Sequence, residues 1–358
     1  MSIDFALPAR LEAHDPPEAR GTPRDGVRML VSRRRTGEIT HHAFTALPDL
    51  LLPGDLIVVN TSGTLPAAVR AGGGLAVHFS TPLPDGSWLV ELRTAAGPAT
   101  VPNGSGAPGD VITLPSGAVL TLAERAGSRL WRARLSVAVL PYLLRNGTPI
   151  RYSYVRREWP LGAYQTVFAT RPGSAEMPGA SRPFTPEVVT RLVARGVMFA
   201  TLRLDAGVSS LEAGEDPYPE PYDVPPATAR LVNLTRRSGG RVIAAGTTVV
   251  RALETAARTR ALRAPRPADG APDRGSGGAC DGGGAAAPSA GWTDHVVTPE
   301  SGLLAADGLL TGLHEPRSSH LRMLEAFAGT GLLSRCYEAA IARGYLWHEF
   351  GDVHLLLP

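Results

Sequence analysis

Between Val27 and Arg134 the apolar residues come in short runs, VRMLVSR, DLIVVN, GLAVHFS, SWLVELR, DVITL, AVLTLAE and LWRARL, separated by Gly, Pro and Asn. Runs this short at this spacing predict consecutive strands in a β-rich region, a barrel or sandwich rather than a parallel sheet. Beyond Thr185 the period changes. TPEVVTRLVARG reads as a helix opened by Thr185, whose hydroxyl can cap free N–H groups, and closed by Gly196. VMFATLRL follows as a strand, PPATARLVNLTRRSGG as a helix with Pro in its first turn, RVIAAG as a strand and TTVVRALETAARTRAL as a helix. LRMLEAFAGTGLLSRCYEAAIARG carries two more helices. Alternating strands and helices predict an α/β layer.

Residues 264–291, APRPADGAPDRGSGGACDGGGAAAPSAG, lack an apolar period and are mostly Gly, Ala and Pro. They read as a flexible surface loop that interrupts the α/β half, with the strand beginning at Trp292 returning to the same layer.

Composition narrows the class. With 43% hydrophobic residues in 358, the chain can bury the cores of two domains. No apolar run approaches the roughly 18 residues of a membrane helix, and MSIDFALPARLEAHD lacks the apolar centre of an export signal. The two cysteines, Cys280 and Cys336, are too few for a disulfide framework and read as free thiols. A soluble cytoplasmic monomer with no membrane partner is therefore expected. The net charge of +3 comes from arginine alone, since lysine is absent. It permits an RNA partner without requiring one, with Arg33-Arg34-Arg35, Arg156-Arg157 and Arg236-Arg237 as groups that could meet phosphates.

Two local patterns carry chemistry. In RVIAAG-TTVVRALE a strand turns through Gly246 into a helix that starts at Thr247 and Thr248, presenting free N–H groups and a positive dipole end to an anion. The same residues also fit an ordinary capped turn, with Arg251 and Glu254 paired at i,i+3 on a solvated face. In LLTGLHEPRSS, His314 could exchange protons near neutral pH, or be a plain loop residue. Zinc fits poorly, because His314, His320, His348 and His354 lack paired short spacing and no cysteine joins them.

Taken in order, DFALPARLEAHDPPEAR, RMLVSRRRTGEI, LLPGDLIVVNTSGTLPA, YQTVFATRPGSAEMP, FTPEVVTRLVARGV, GGRVIAAGTTVVRALETAA, GWTDHVVTP, DGLLTGLHEPRSSHLRMLEAFAG and YEAAIARGYLWHEFGD resemble the signature segments of the S-adenosylmethionine:tRNA ribosyltransferase-isomerase family of queuosine biosynthesis. The resemblance runs from Asp4 to Asp352 and is most specific in GTT-x-x-R-x-LE and LLT-x-x-H-x-P. It implies an α/β domain with an inserted or adjoining β-barrel, here residues 1–70 with 150–358 and residues 71–149. It also implies transfer and isomerisation of the ribosyl part of S-adenosylmethionine onto the aminomethyl group of a tRNA 7-deazaguanine. Epoxyqueuosine forms, adenine and methionine leave, S-adenosylmethionine is a co-substrate and no metal is needed.

Carried onto this sequence, the resemblance makes Gly246, Thr247, Thr248 and Arg251 the donor-carboxylate site, with Arg317 and Ser318 as further binding residues. Trp292, Tyr164 and Tyr222 become candidate faces for the sulfonium. His314 is the expected proton carrier, as an imidazole near pKa 6.5, with Asp205 and Glu220 as the other acid–base candidates. Pro183, Asp205 and Tyr218 stand where the family has histidine, and Asn60-Thr61-Ser62-Gly63 stands where it has N-D-T-R. Two further readings thus remain open: a paralogue using S-adenosylmethionine on a small-molecule or nucleoside acceptor, and a binding protein without turnover.

Overall fold

A computed structural model describes residues 3–96, 99–208, 217–263 and 286–358. Its larger sheet has nine strands in the order Ser289–Thr293, Glu220–Val224, Met198–Leu204, Leu56–Asn60, Val242–Ala245, Gly308–Gly312, Val353–Leu357, Arg28–Arg33 and Glu38–Ala43. Leu56–Asn60 lies parallel to both Met198–Leu204 and Val242–Ala245, which is itself parallel to Gly308–Gly312. The outer pairs are antiparallel, except that Arg28–Arg33 runs parallel to Val353–Leu357. The expectation that the early strands avoid a parallel sheet therefore fails for VRMLVSR and DLIVVN. Leu56, Ile57, Val58 and Val59 are all buried because helices cover both faces, and such two-sided burial is what a parallel arrangement requires.

The remaining early strands form a curled, half-barrel antiparallel sheet in the order Ala68–Arg70, Leu75–Pro82, Trp88–Ala96, Leu130–Leu135, Val119–Ala126 and Val111–Thr113, with Ala99–Pro102 added beside Trp88–Ala96. Its core holds Phe79, Val90, Leu120, Leu130 and Trp131, against which Tyr142 and Leu143 of the helix Val139–Asn146 pack. The two end strands, Ala68–Arg70 and Val111–Thr113, are not paired with each other among the described residues, so the mixed α/β architecture is observed without a closed ring of strands.

The chain leaves the large sheet after Asn60 through Ser62–Thr64 and returns through Arg171–Ser174, and these two short strands pair in parallel. Asp205, at the end of the strand Met198–Leu204, fastens this junction. It accepts hydrogen bonds from Ser62 Oγ (2.7 Å) and Arg203 Nε (2.8 Å), while Ser174 Oγ donates to Ser62 Oγ (2.8 Å). A Cβ at position 173 would stand 2.3 Å from Asp205 Oδ1, so only glycine fits there.

Helices form where the periodicity predicts them: Pro186–Ala194, Pro226–Arg237, Thr247–Arg263, Ser319–Ala328 and Thr330–Ala342. Thr185 Oγ1 accepts from Val188 N (3.3 Å), as expected of the cap. The predicted loop 264–291 needs correction at its end. Ala286 is buried and its carbonyl accepts from Asn233 Nδ2 (2.9 Å), and Ser289–Thr293 is an edge strand of the large sheet. An edge strand can be built from small residues because the ladder is made by backbone groups. Residues 264–285 lie outside the described residues. No described helix is long and apolar enough to cross a membrane.

Candidate functional site

In open α/β sheets, ligand crevices open at the carboxyl ends of the parallel strands, where the following loops diverge. Here Asn60, Gly246 and the Gly312–His314 turn end three neighbouring parallel strands, and they line a cavity of about 540 Å³. Gly351, Asp352 and Val353 close it from the start of the antiparallel strand Val353–Leu357, and Arg93 and Pro102 reach it from the curled sheet.

Gly246 takes φ 108°, a conformation L side chains rarely adopt, which lets the chain turn from the strand into the helix Thr247–Arg263. The first N–H groups of that helix have no intrahelical acceptor and face the cavity with its positive dipole end. Asn60 holds the turn in place: its Nδ2 donates to Leu204 O (2.8 Å) and reaches Thr248 Oγ1 (3.4 Å). A second helix, Ser319–Ala328, also begins at the cavity.

The solvated-face reading of Arg251 and Glu254 is overturned, since both are buried and they do not pair. Glu254 accepts backbone N–H bonds from Leu304 (2.7 Å), Ala305 (2.9 Å) and Ala306 (3.1 Å), tying the helix to the loop before Gly308. Arg251 pairs with Glu220 and donates to the carbonyls of Thr293 (3.1 Å), Tyr218 (3.3 Å) and His295 (3.3 Å). Arg251 lines the cavity with its guanidinium engaged by these protein groups, so a donor carboxylate there would share it with Glu220. Glu220 is occupied as well, with Gly207 N donating to its Oε1 (2.8 Å). Burial raises the Glu220 carboxyl above its usual range, and Arg251 works against that rise.

His314 stands on the cavity wall with its ring stacked on His320, centroids 4.6 Å apart and planes 6° from parallel. Its backbone is fixed from both sides, with its N–H donating to Tyr337 Oη (3.2 Å) and its carbonyl accepting from Trp347 Nε1 (3.0 Å), while its Nε2 lies 2.9 Å from Thr311 Oγ1. Burial, reinforced by His320, holds its pKa well below the ordinary imidazole value rather than near 6.5. The ring is therefore neutral at neutral pH. Burial likewise lowers His320 and His348 to about 4.

The other expected residues divide. Ser318 caps the second helix, accepting from His320 N (3.3 Å) and contacting His320 Nδ1 (3.1 Å). Arg317 sits at the rim in a left-handed conformation (φ 62°), exposed and paired with Asp4 (2.8 Å). Four expected residues do not line the cavity. Asp205 belongs to the sheet junction, Tyr164 packs on Phe350, Tyr222 is buried with its hydroxyl 2.6 Å from Ser289 Oγ, and Trp292 is exposed on the edge strand.

Of the arginine groups, Arg33 pairs with Glu38, and Arg236 pairs with Asp307 and donates to Leu304 O. Arg33 ends its strand, and Asp307 precedes the strand Gly308–Gly312, so both groups sit at the sheet end away from the cavity. Arg156-Arg157 follows Tyr154 of the cavity lining in sequence and is engaged too, Arg156 with His14 Nε2 (2.9 Å) and Arg157 with Asp15 (3.3 Å).

That wall holds what sequence reasoning missed. Tyr152, Tyr154 and His348 form a continuous ring stack, with centroids 5.6 Å and then 3.7 Å apart. Tyr152 Oη donates to Glu176, and Glu349 lies among Tyr154, Glu176 and Glu315 with its carboxyl raised to about 8 by burial and by Glu176. Glu349 Oε2 and His348 Nε2 are buried without a hydrogen-bond partner. The paired tyrosines of RYSYVRREW and the HE of YLWHEFGD were the available signals, but nothing local says they converge.

A family model described as queuosine biosynthesis protein matches residues 1–356. An S-adenosylmethionine:tRNA ribosyltransferase-isomerase from Thermotoga maritima is 32% identical over 99% of this chain and 98% of its own length. The protein of that name from Anaeromyxobacter dehalogenans is 34% identical over the same shares. A crystal structure of an S-adenosylmethionine tRNA ribosyltransferase from Thermotoga maritima superposes with a TM-score of 0.52 at 27% identity, covering 99% of both chains.

Proposed function

This chain belongs to the S-adenosylmethionine:tRNA ribosyltransferase-isomerase family of queuosine biosynthesis, and from that membership we propose that the cavity at its strand ends performs the family reaction on a tRNA 7-aminomethyl-7-deazaguanine. The observation that carries this reading is the joining, in one cavity, of an unsatisfied helix start at Gly246–Thr248 with a half-buried neutral imidazole at His314.

The donor's methionine carboxylate rests on the N–H groups of Thr247 and Thr248, where two aligned donors and the dipole favour an anion. Arg251 acts one step back. Bonded to Glu220 and to the carbonyls of Thr293 and His295, it fixes the edge strand and the His295 segment against the helix. His314 removes the proton beside the sulfonium. Its surroundings keep the ring neutral and able to accept that proton, though as a weaker base than a free imidazole. The imidazolium once formed passes the proton to the departing adenine, while the acceptor nitrogen releases its own proton to solvent as it bonds to the ribosyl carbon and methionine leaves. The loss of three motif histidines does not empty the site of imidazoles, since His295, His314, His320 and His348 all line the cavity. The tRNA approaches over the face bearing Arg156 and Arg157, with residues 71–149 as the inserted unit beside it.

Incubation of purified protein with S-adenosylmethionine, followed for adenine and methionine, tests the reading. Release that depends on tRNA carrying the aminomethyl base supports it. Release with a nucleoside or small-molecule acceptor, or donor binding without release under any condition, overturns it.

A further inference from the structure

The two sides of the cavity differ in the charge they invite. The helix starts at Thr247 and Ser319 present N–H groups and suit an anion. The opposite demand comes from Glu176 and Glu349, which belong to different elements, the strand return after Ser174 and the segment before Val353. Glu176 adds to the burial cost of ionising Glu349, and Glu349 Oε2 is buried with no donor. A buried carboxyl oxygen left without a donor costs roughly 1–3 kcal/mol, which a bound N–H group would recover. The ring stack of Tyr152, Tyr154 and His348 borders the same pair, with Tyr154 in the middle, so a heterocycle can extend it at the outer ring of Tyr152. A smaller cavity of about 210 Å³ opens from this wall and shares Arg93, Tyr152, Glu176 and Val208 with the main one, giving the wall room for a second substrate group beside the donor.

We propose that Glu349, supported by Glu176, is the specificity-determining subsite for the cationic aminomethyl group of the acceptor base, with the outer ring of the stack, Tyr152, against the base plane. This inference rests on the function proposed above and adds the residues that choose the acceptor. An ammonium satisfies the orphaned oxygen and favours ionisation of the carboxyl pair, whereas a neutral substituent does neither. The donor's carboxylate is drawn to the helix starts, which leaves the acid wall to the acceptor amine.

The test compares wild-type protein with Glu349→Gln and Glu176→Gln, using tRNA that bears either 7-aminomethyl- or 7-hydroxymethyl-7-deazaguanine. Loss of a charge-assisted bond should raise KM, or Kd where turnover is absent, for the aminomethyl tRNA about 10–100-fold in Glu349→Gln. Preference over the hydroxymethyl tRNA should collapse, while S-adenosylmethionine affinity by calorimetry stays within about twofold. A merely structural role would weaken both tRNAs alike. If Glu349→Gln does not fold, Glu176→Gln carries the test with a smaller shift of the same sign. Folded variants that keep the wild-type preference, or that lose donor affinity instead, overturn the proposal. Absence of adenine release by wild-type protein with the aminomethyl tRNA would bring down the underlying reaction itself, and this proposal with it.

Discussion

The two ends of the nine-stranded sheet use the same residue types to opposite effect. At the amino end, Asp55 accepts from Arg241 Nε (3.0 Å) and from Leu52 N (2.8 Å), and Asp307 accepts from Val242 N (2.9 Å) while pairing with Arg236. Those networks are closed, with each charge answered by the chain itself. At the carboxyl end, Glu349 Oε2 and His348 Nε2 are left without partners, and the half-buried His314 and His320 stack instead of pairing with an acid. Open valences in a buried site have a stability cost, and they remain where a ligand completes them. What sets the carboxyl end apart is that its unanswered groups are titratable and gather in one cavity, whereas Asn233 Oδ1 and Thr235 Oγ1, unpartnered in the helix Pro226–Arg237, are neutral and line neither cavity.

The largest effect should come from breaking the open end. His314→Ala should lower the rate of adenine release by about 10²–10⁴-fold with the circular dichroism spectrum unchanged. Near-normal turnover would mean that the proton is carried by another group. The closed end should respond in stability instead. Asp55→Ala strands Arg241 and the Leu52 N–H, and urea melts should show a loss approaching the roughly 3–5 kcal/mol of a broken buried pair, reduced because Arg241 is partly solvated. Activity per folded molecule should stay close to wild type.

Acid should act mainly through the buried imidazoles. His320 and His348 titrate at about 4 and His354 at about 3 in the fold, against about 6.5 when unfolded. Below pH 6.5 the unfolded chain takes up protons that the native state refuses, so stability should fall as pH drops from about 6.5 to about 4, by up to ~1.4 kcal/mol per pH unit for each group. Melts that are flat over that window would contradict the burial of these rings. Glu349 runs the other way. With its carboxyl raised to about 8, the native state keeps a proton that the unfolded chain loses above about 4.5, so its contribution is full below that value and falls away as pH rises to about 8. Glu349→Gln should therefore melt higher than wild type at pH 8 and no differently at pH 4. The smallest effect is expected from residues 264–285. Their composition offers no core, so a short Gly-Ser replacement that keeps Ala286 and Ser289–Thr293 should leave the melting temperature unchanged, whereas one that extends through Gly291 should lower it.

What could be read from the sequence follows from the range of the signals. The Gly246 turn was legible because strand, glycine and threonine helix start are contiguous. Most helices were legible because their apolar stripes repeat within one element. The strand Val353–Leu357 went unread, since five consecutive buried residues carry no alternation. Asp205 stands at the position of a motif histidine, and its hydrogen bonds at the junction, to Ser62 and through it to Ser174, join residues far apart in sequence that no local pattern links. The aromatic wall carries no local signal for the same reason. Tyr164 and Tyr222 stood in matching segments, whereas Tyr152 and Tyr154 meet His348 only after the chain has crossed between the two sheets. Local chemistry can be read from local sequence, but the convergence of distant groups is set by topology.

A crystal structure of the protein soaked or grown with S-adenosylmethionine tests the central contrast most directly. The methionine carboxylate is expected on the Thr247 and Thr248 N–H groups, with the sulfonium carbon facing His314, at the carboxyl end of the sheet. Donor bound at the amino end, or in the cavity with its carboxylate away from the Gly246 turn, would contradict the account.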